Sequence, residues 1–430
     1  MFALLAIGVP GALLHPFLGL VIYYGFATLY PHFLWEHALP PGVRWSLYIA
    51  LATLAGFVLH GFARGAAGAR WPVEKKLLLV LAGLTVLSFV DAVDPAVASR
   101  QLDDYLKVFL MCFVACGLLD SRYRLHVLAV VLVLTLGWLA IDFNQRYLLM
   151  GQKNYLQHGF ATLDNNGVAA LMAIGLPFCM FLFGQEKRWY LKWPPLGIMV
   201  LMLHVVLFSM SRAAMLACLI VVPFLLLRQR PRWLGVGLTV FMLSVGVYLA
   251  GPEVRRRFLS IEQYETDVSS QGRIAAWKIS VDVMRDYPLL GVGPDCFRCV
   301  AGDYDKTLTN RTMHNNFLQA AVDMGVPAGL INAAIPIICF IQLGRLRRRS
   351  RGDPFLVDLA GCLQAALLAY VLVGSFASIG TIELPYIALV MGIGLQNVAA
   401  MERQHAAAPL AVEPARRPWR PLEGLKPATT

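Results

Sequence analysis

Apolar runs long enough to cross a bilayer recur from one end of this chain to the other, and that recurrence most constrains its fold. A crossing helix needs roughly 17–25 mostly apolar residues. By length alone, 430 residues suggest about two or three soluble domains. Charged residues, however, make up only 15% of the chain and hydrophobic ones 58%, against about a quarter charged in globular proteins. A soluble core cannot hide that much apolar surface, whereas lipid can. The sequence therefore predicts an all-α polytopic membrane protein. Met1–Gly8 has no basic n-region, and no small-x-small site follows a short apolar stretch, so the first run is expected to be retained as a span.

Orientation follows from the loops. Arg and Lys cluster at Arg64–Lys76, Arg122–Arg124, Lys187–Lys192, Arg228–Arg232, Arg345–Arg351 and in the tail from Arg403. Between them lie loops with few positive charges: Pro31–Arg44, Asp91–Asp103, Arg146–Asn166, Ser209–Arg212 and Ser378–Glu383. The two sets alternate, and the basic set belongs in the cytoplasm by the positive-inside rule. Spans consistent with this lie near 3–30 (one crossing broken by Pro10 and Pro16, or instead two half-helices or a re-entrant piece), 46–63, 77–92, 104–119, 125–145, 168–184, 195–210, 212–228, 234–250, 316–343, 356–377 and 384–400. That predicts about 12 transmembrane helices, both termini inside, and a large periplasmic loop containing short helices. Helices 1–9 occupy 1–250, the loop 251–315, helices 10–12 316–400, and a disordered Pro/Ala/Arg-rich tail 401–430.

The net charge of +11 raises a nucleic-acid reading. The basic residues sit between spans, with no aromatic-interleaved soluble module around them, so no nucleic-acid partner is expected. Six of the eight cysteines fall inside apolar runs, as small buried hydrophobes do. Cys296 and Cys299 form a C-F-R-C in the external loop. A single CxxC is weak evidence for zinc; in an oxidising compartment the pair is a candidate disulfide, and two free thiols fit equally well.

Only the external loop has soluble-domain character. Ser269–Asp286 carries Ile274, Trp277, Ile279, Val281 and Met284 at near-helical spacing behind serines suited to an N-cap. Tyr287–Phe297 is a Pro/Gly-punctuated turn. Three residues stand out. Arg212 ends a turn too short to be a spacer, where a snorkelling arginine is the bland reading and an anion-binding cation the sharper one. Arg273 follows Gly272 near the start of the loop helix, where backbone N–H groups already favour an anion. His314 lies where the loop re-enters the membrane; an isolated histidine is usually a satisfied core or capping group, but ionisable groups at that depth tend to be functional. Asp303–Asp305 has a D-x-D form but sits in a short polar turn, and Gly291–Gly293 lacks the third glycine of a dinucleotide fingerprint. The sequence has no H-E-x-x-H, Walker A or G-x-S-x-G, so its chemistry is expected to run without a cofactor and without a bound metal.

Taken in order, Phe160–Ala169, Ser211-Arg212, Gly272-Arg273 with Trp277, Pro288–Phe297 and His314–Leu318 with Gly325 and Gly329 resemble the O-antigen ligase/polymerase superfamily of envelope glycosyltransferases, most closely its ligases. The resemblance covers about residues 155–345. Asp164-Asn165-Asn166 departs from it, since the family often has N-P-N there. The resemblance implies a GT-C-like bundle in the bacterial inner membrane with its active site facing the periplasm. It also implies transfer of a glycan from undecaprenyl diphosphate, without metal or ATP, to a sugar hydroxyl of lipid A–core. Besides membrane lipids, these two substrates are the implied partners. The family's two functional arginines and histidine map onto Arg212, Arg273 and His314, with Asn165, Asn166 and Asn315 as supporting polar residues.

These residue types suit that chemistry. Displacement at an anomeric carbon needs the departing diphosphate neutralised, which guanidiniums do bidentately. It also needs a base near neutral pKa for the acceptor hydroxyl. No carboxylate nucleophile is evident, so inversion is expected. An O-antigen polymerase or a protein O-oligosaccharyltransferase of the same superfamily fits the same motifs, and a transporter or flippase is the reading from another class. Transporters usually place charges or broken helices near mid-membrane, whereas here the notable polar residues gather at the outer face.

Overall fold

Capping residues stand immediately before several of the apolar runs, and in the computed structural model each of them starts a helix. The structure describes residues 2–40, 43, 45–61, 71–152, 158–227, 236–237 and 268–407. Among these the chain is all-helical, its sole bridge being Phe160 with Leu163. The helices are α1 Phe2–Leu14, α2 Pro16–Leu29, α3 Pro31–Leu34, α4 Trp45–Leu59, α5 Val73–Val90, α6 Pro95–Leu118, α7 Arg122–Met150 and α8 Asn165–Gln185. After them come α9 Trp189–Phe208, α10 Arg212–Leu226, α11 Val268–Asp286, α12 Phe297–Tyr304, α13 Asn316–Asp323, α14 Val326–Arg349, α15 Pro354–Gly374 and α16 Glu383–Ala407. Asp94 caps α6 by accepting from the amides of Ala96 and Val97. Asp353 caps α15 through Leu356 N. Each is followed by proline at the first helical position, where the missing N–H is not needed.

Among the described residues, six helices are long and apolar enough to cross a membrane: α7, α8, α9, α14, α15 and α16. Their burial sets the layering. The apolar stretch of α8 is 89% buried and that of α9 only 28%. Thus α8 is the central post, packed by α7, α9, α10 and α15, while α9 presents Trp193 and Val200 outward, as a lipid-facing helix does.

Two expected spans take a different form. The 3–30 region is not one crossing: α1 and α2 fold back on each other at His15. A Cβ on Gly8 would lie 3.2 Å from Ile22 Cδ1, and one on Gly11 2.9 Å from Leu18 Cδ2, which is antiparallel pairing. Phe2 accordingly stacks edge-on against Trp45, at the end of the bundle where α4 begins. Each arm is about 20 Å long at 1.5 Å per residue, short of a hydrocarbon core of roughly 30 Å. The hairpin therefore returns to the face from which it started. The 316–343 region is also divided, because Gly325 at φ 90° turns the chain between α13 and α14. All of the 234–250 span but 236–237, the Arg228–Arg232 cluster and the tail from 408 lie outside the described residues, as does most of the Arg64–Lys76 cluster.

The loop helix α11 forms at the predicted place, but its buried face is Ala276, Ser280 and Val283, with Val281 exposed. Small residues let it lie close against α12 and α13. Ser269 and Ser270 belong to the helix itself rather than serving as its cap.

Candidate active site

The start of α8 and the end of α9 are tied by short polar side chains that bond to neighbouring backbone and to one another. Asp164 caps α8 through Gly167 N at 2.7 Å. Asn165 Nδ2 donates to Ser209 O at 2.8 Å, joining the start of α8 to the end of α9. Asn166 Nδ2 donates to Asp164 Oδ2 at 3.0 Å, and its Oδ1 accepts from Ser211 Oγ at 2.8 Å. Met210, at φ 57°, makes the sharp turn that sends the chain back as α10 with Arg212 as its first residue. The two asparagines thus brace the turn that carries Arg212.

Arg212 then reaches across to the loop. Its Nη2 donates to Ser270 Oγ at 3.0 Å. Ser270 lies one helical turn before Arg273, on the same side of α11. One turn further, Trp277 Nε1 donates to Met313 O at 3.1 Å, which fixes the segment leading into His314. His314 itself has φ 51°, a left-handed conformation that a β-carbon makes uncommon. Its Nε2 lies 3.0 Å from Thr312 Oγ1. Asn315 begins α13 by accepting from the amides of Phe317 and Leu318. Its role is that of a cap.

The fold therefore brings Arg212, Arg273 and His314, distant in sequence, to one end of the bundle. It adds two groups that sequence reasoning passed over. Arg311 sits beside α11, with Nη1 3.9 Å from where a Cβ on Gly272 would lie. Asp164 is close enough to act on the histidine. Burial lowers the His314 pKa from the usual 6.5, Arg273 and Arg311 lower it further, and Asp164 opposes them. The lowered pKa favours the neutral imidazole, the form that can take a proton. The starts of α8 and α10 meet through Asn166 and Ser211, and α13 begins just after His314, so the positive ends of these helix dipoles lie at this end of the bundle. The arrangement can hold an anion and accept a proton beside it. Nothing local in the sequence marks Arg311, and Asp164 enters only where the chain departs from the family's N-P-N, although an aspartate just before an apolar run is a signal of a helix start.

The Pro288–Phe297 segment does not enter this constellation. It buttresses it. Asp323, 3% exposed, accepts from the amides of Asp295 at 3.1 Å and Phe297 at 3.0 Å. Val292 N and Gly293 N donate to Val322 O and Asp323 O, and Val93 N donates to Val292 O. The loop is thereby pinned to α13 and to the α5–α6 turn. Burial pushes the Asp323 carboxyl up to about 8, against the two amides that favour its charge. Cys296 and Cys299 are free thiols, Cys296 buried with Sγ on Asp94 O. Asp305 caps a single 3-10 turn through Thr307, the solvated role expected of D-x-D here. Among the described residues no group of three His, Cys, Asp or Glu could hold a metal ion.

Residues 197–333 match a family model described as O-antigen ligase, a stretch that holds Arg212, Arg273, Arg311 and His314. Residues 1–173 match a family of unknown function, and Asp164–Asn166 fall within it. No curated protein matches the chain.

Proposed function

We propose, from the premise that this chain belongs to the O-antigen ligase family through residues 197–333, that it transfers a glycan from undecaprenyl diphosphate to a sugar hydroxyl of lipid A–core. The observation that carries this reading is the convergence of His314 with three arginines at one end of a helical bundle. His314 takes the proton of the acceptor hydroxyl. The hydroxyl oxygen bonds to the anomeric carbon as the carbon–phosphate oxygen bond breaks. The diphosphate leaves with that electron pair, and Arg212 and Arg273 hold its charge, each able to make a planar, two-pronged contact. A positioned base is worth roughly 10²–10⁴-fold. Single displacement inverts the anomeric centre.

In this reading the bundle crosses the inner membrane about 11 times, one fewer than the spans counted from hydropathy because the 3–30 region folds back and leaves the N-terminus on the periplasmic side, is GT-C-like and opens its site to the periplasm. The guanidiniums do the neutralising work for which other glycosyltransferases use a divalent ion. Transfer should accordingly persist in excess chelator; activity lost to chelator and restored by Mg²⁺ would contradict this part. A deletion strain tests the assignment itself. Loss of a ligase leaves long glycan chains on the carrier. Single units on the carrier would instead indicate a polymerase, and donor trapped inside the cell a transporter.

A further inference from the structure

A second cavity lies at the opposite end of the bundle. α8 and α14 run from the His314 end, at Asn165 and Val326, to the far end, at Gln185 and Arg349. Between their far halves, α10 and α15 complete a cavity of 1110 Å³. This exceeds the roughly 300–1,000 Å³ typical of small-molecule pockets. Its inner wall is apolar, made by Met180, Phe181, Leu225 and Phe340. Its outer rim carries Arg345, Arg347, Arg348 and Arg351. Among the described lining residues the one carboxylate is Asp358, which also accepts from Gln185 Nε2 at 2.8 Å. Ile341 both lines the cavity and is 47% exposed on the outer side of α14, so the cavity communicates with the apolar surface that faces lipid.

An apolar wall open to the hydrocarbon, beneath a rim of four guanidiniums facing one carboxylate, has the polarity profile of an amphiphile with an anionic head. We propose that this cavity binds an anionic phospholipid of the bilayer, its phosphate on the arginine rim and its acyl chains along Phe181, Leu225 and Phe340. Arginine suits a phosphate because its planar fork makes two parallel hydrogen bonds. The far end also carries the basic loops, the side on which anionic headgroups and basic residues meet. This site is separate from His314 and independent of the glycosyl-transfer reading.

The test uses full-length protein in nanodiscs of phosphatidylcholine with a minority of phosphatidylglycerol, followed by native mass spectrometry of the lipid retained after extraction. Wild-type protein should retain phosphatidylglycerol in preference to phosphatidylcholine. The double variant Arg347→Gln/Arg348→Gln should lose that preference by about fivefold per arginine, the scale of one basic residue at an anionic surface. Arg285→Gln, which removes one positive charge from the exposed side of α11, should retain lipid as wild type does. Arg347→Lys/Arg348→Lys keeps the charge and should recover most of the retention, separating a lipid site from a packing defect. Equal retention by the Gln and wild-type proteins would overturn the proposal. So would equal retention of the two lipids, or displacement of the lipid by millimolar inorganic phosphate, which would assign the rim to a small anion.

Discussion

His314 and the charges around it form a small titrating system whose sign is fixed by geometry. The base must be neutral to act, so turnover should be flat above its pKa and fall as pH drops through it. Because burial, Arg273 and Arg311 all lower that pKa, the acidic limb should lie below the ordinary 6.5. Arg273→Gln removes one of the groups holding it down and should move the limb upward. Asp164→Asn removes the opposing carboxylate and should move it downward. A pH profile of kcat/KM for the two variants checks both directions, and shifts of the same sign would contradict the electrostatic account. Neither Asp164 nor Arg311 stood out in the sequence, because a capping aspartate and a loop arginine are ordinary until the fold sets them beside a histidine. Arg212 and His314 were legible because each borders an apolar run, where a charge is costly without a use, and Arg273 because it stands near the start of the loop helix, where backbone N–H groups favour an anion.

At the level of elements, the helices of the bundle could be read from hydropathy and their starts from Asp, Ser and Pro. The two departures were non-local. Pro10 and Pro16 announced a break, but only the pairing of Gly8 with Ile22 and Gly11 with Leu18 makes the break a reversal. The separation of α13 from α14 rests on Gly325, whose conformation is imposed by the approach of the Pro288–Phe297 loop. That loop depends on Asp323, a single acidic residue in an otherwise apolar stretch. Its folded carboxyl is raised from about 3.9 to about 8, so across that window the native state keeps a proton that the unfolded chain releases. Its contribution to stability is therefore fullest below the unfolded value and is lost as pH rises toward about 8. Melting in detergent should show this fall, and Asp323→Asn should flatten it. Asp323→Ala should cost about 1–3 kcal/mol for each buried amide left unmatched. A pH slope unchanged in Asp323→Asn would rule out this carboxyl as its source.

Across the whole molecule, the His314 site and the arginine-rimmed cavity occupy opposite ends, joined by α8 and α14. The alternation of basic and non-basic loops assigns these ends to opposite sides of the membrane. A reporter active only in the periplasm should work when fused near Asp303 and be silent near Gly352. The fold-back of α1 adds a prediction that hydropathy alone would reverse: a cysteine replacing Ala3 should react with an impermeant thiol reagent from the same side as one replacing Asp303. Labelling from opposite sides would restore a single crossing in this region. The central claim, however, is that one histidine takes the acceptor's proton while arginines hold the leaving group. Its most direct test is single-turnover transfer from a polyprenyl diphosphate-linked glycan to lipid A–core by reconstituted protein, with donor binding measured on the same samples. His314→Ala should abolish transfer while binding donor as wild type does, whereas Arg212→Ala should lose donor affinity together with rate, on the order of 10²-fold or more in rate. Near-normal transfer by His314→Ala would contradict the account.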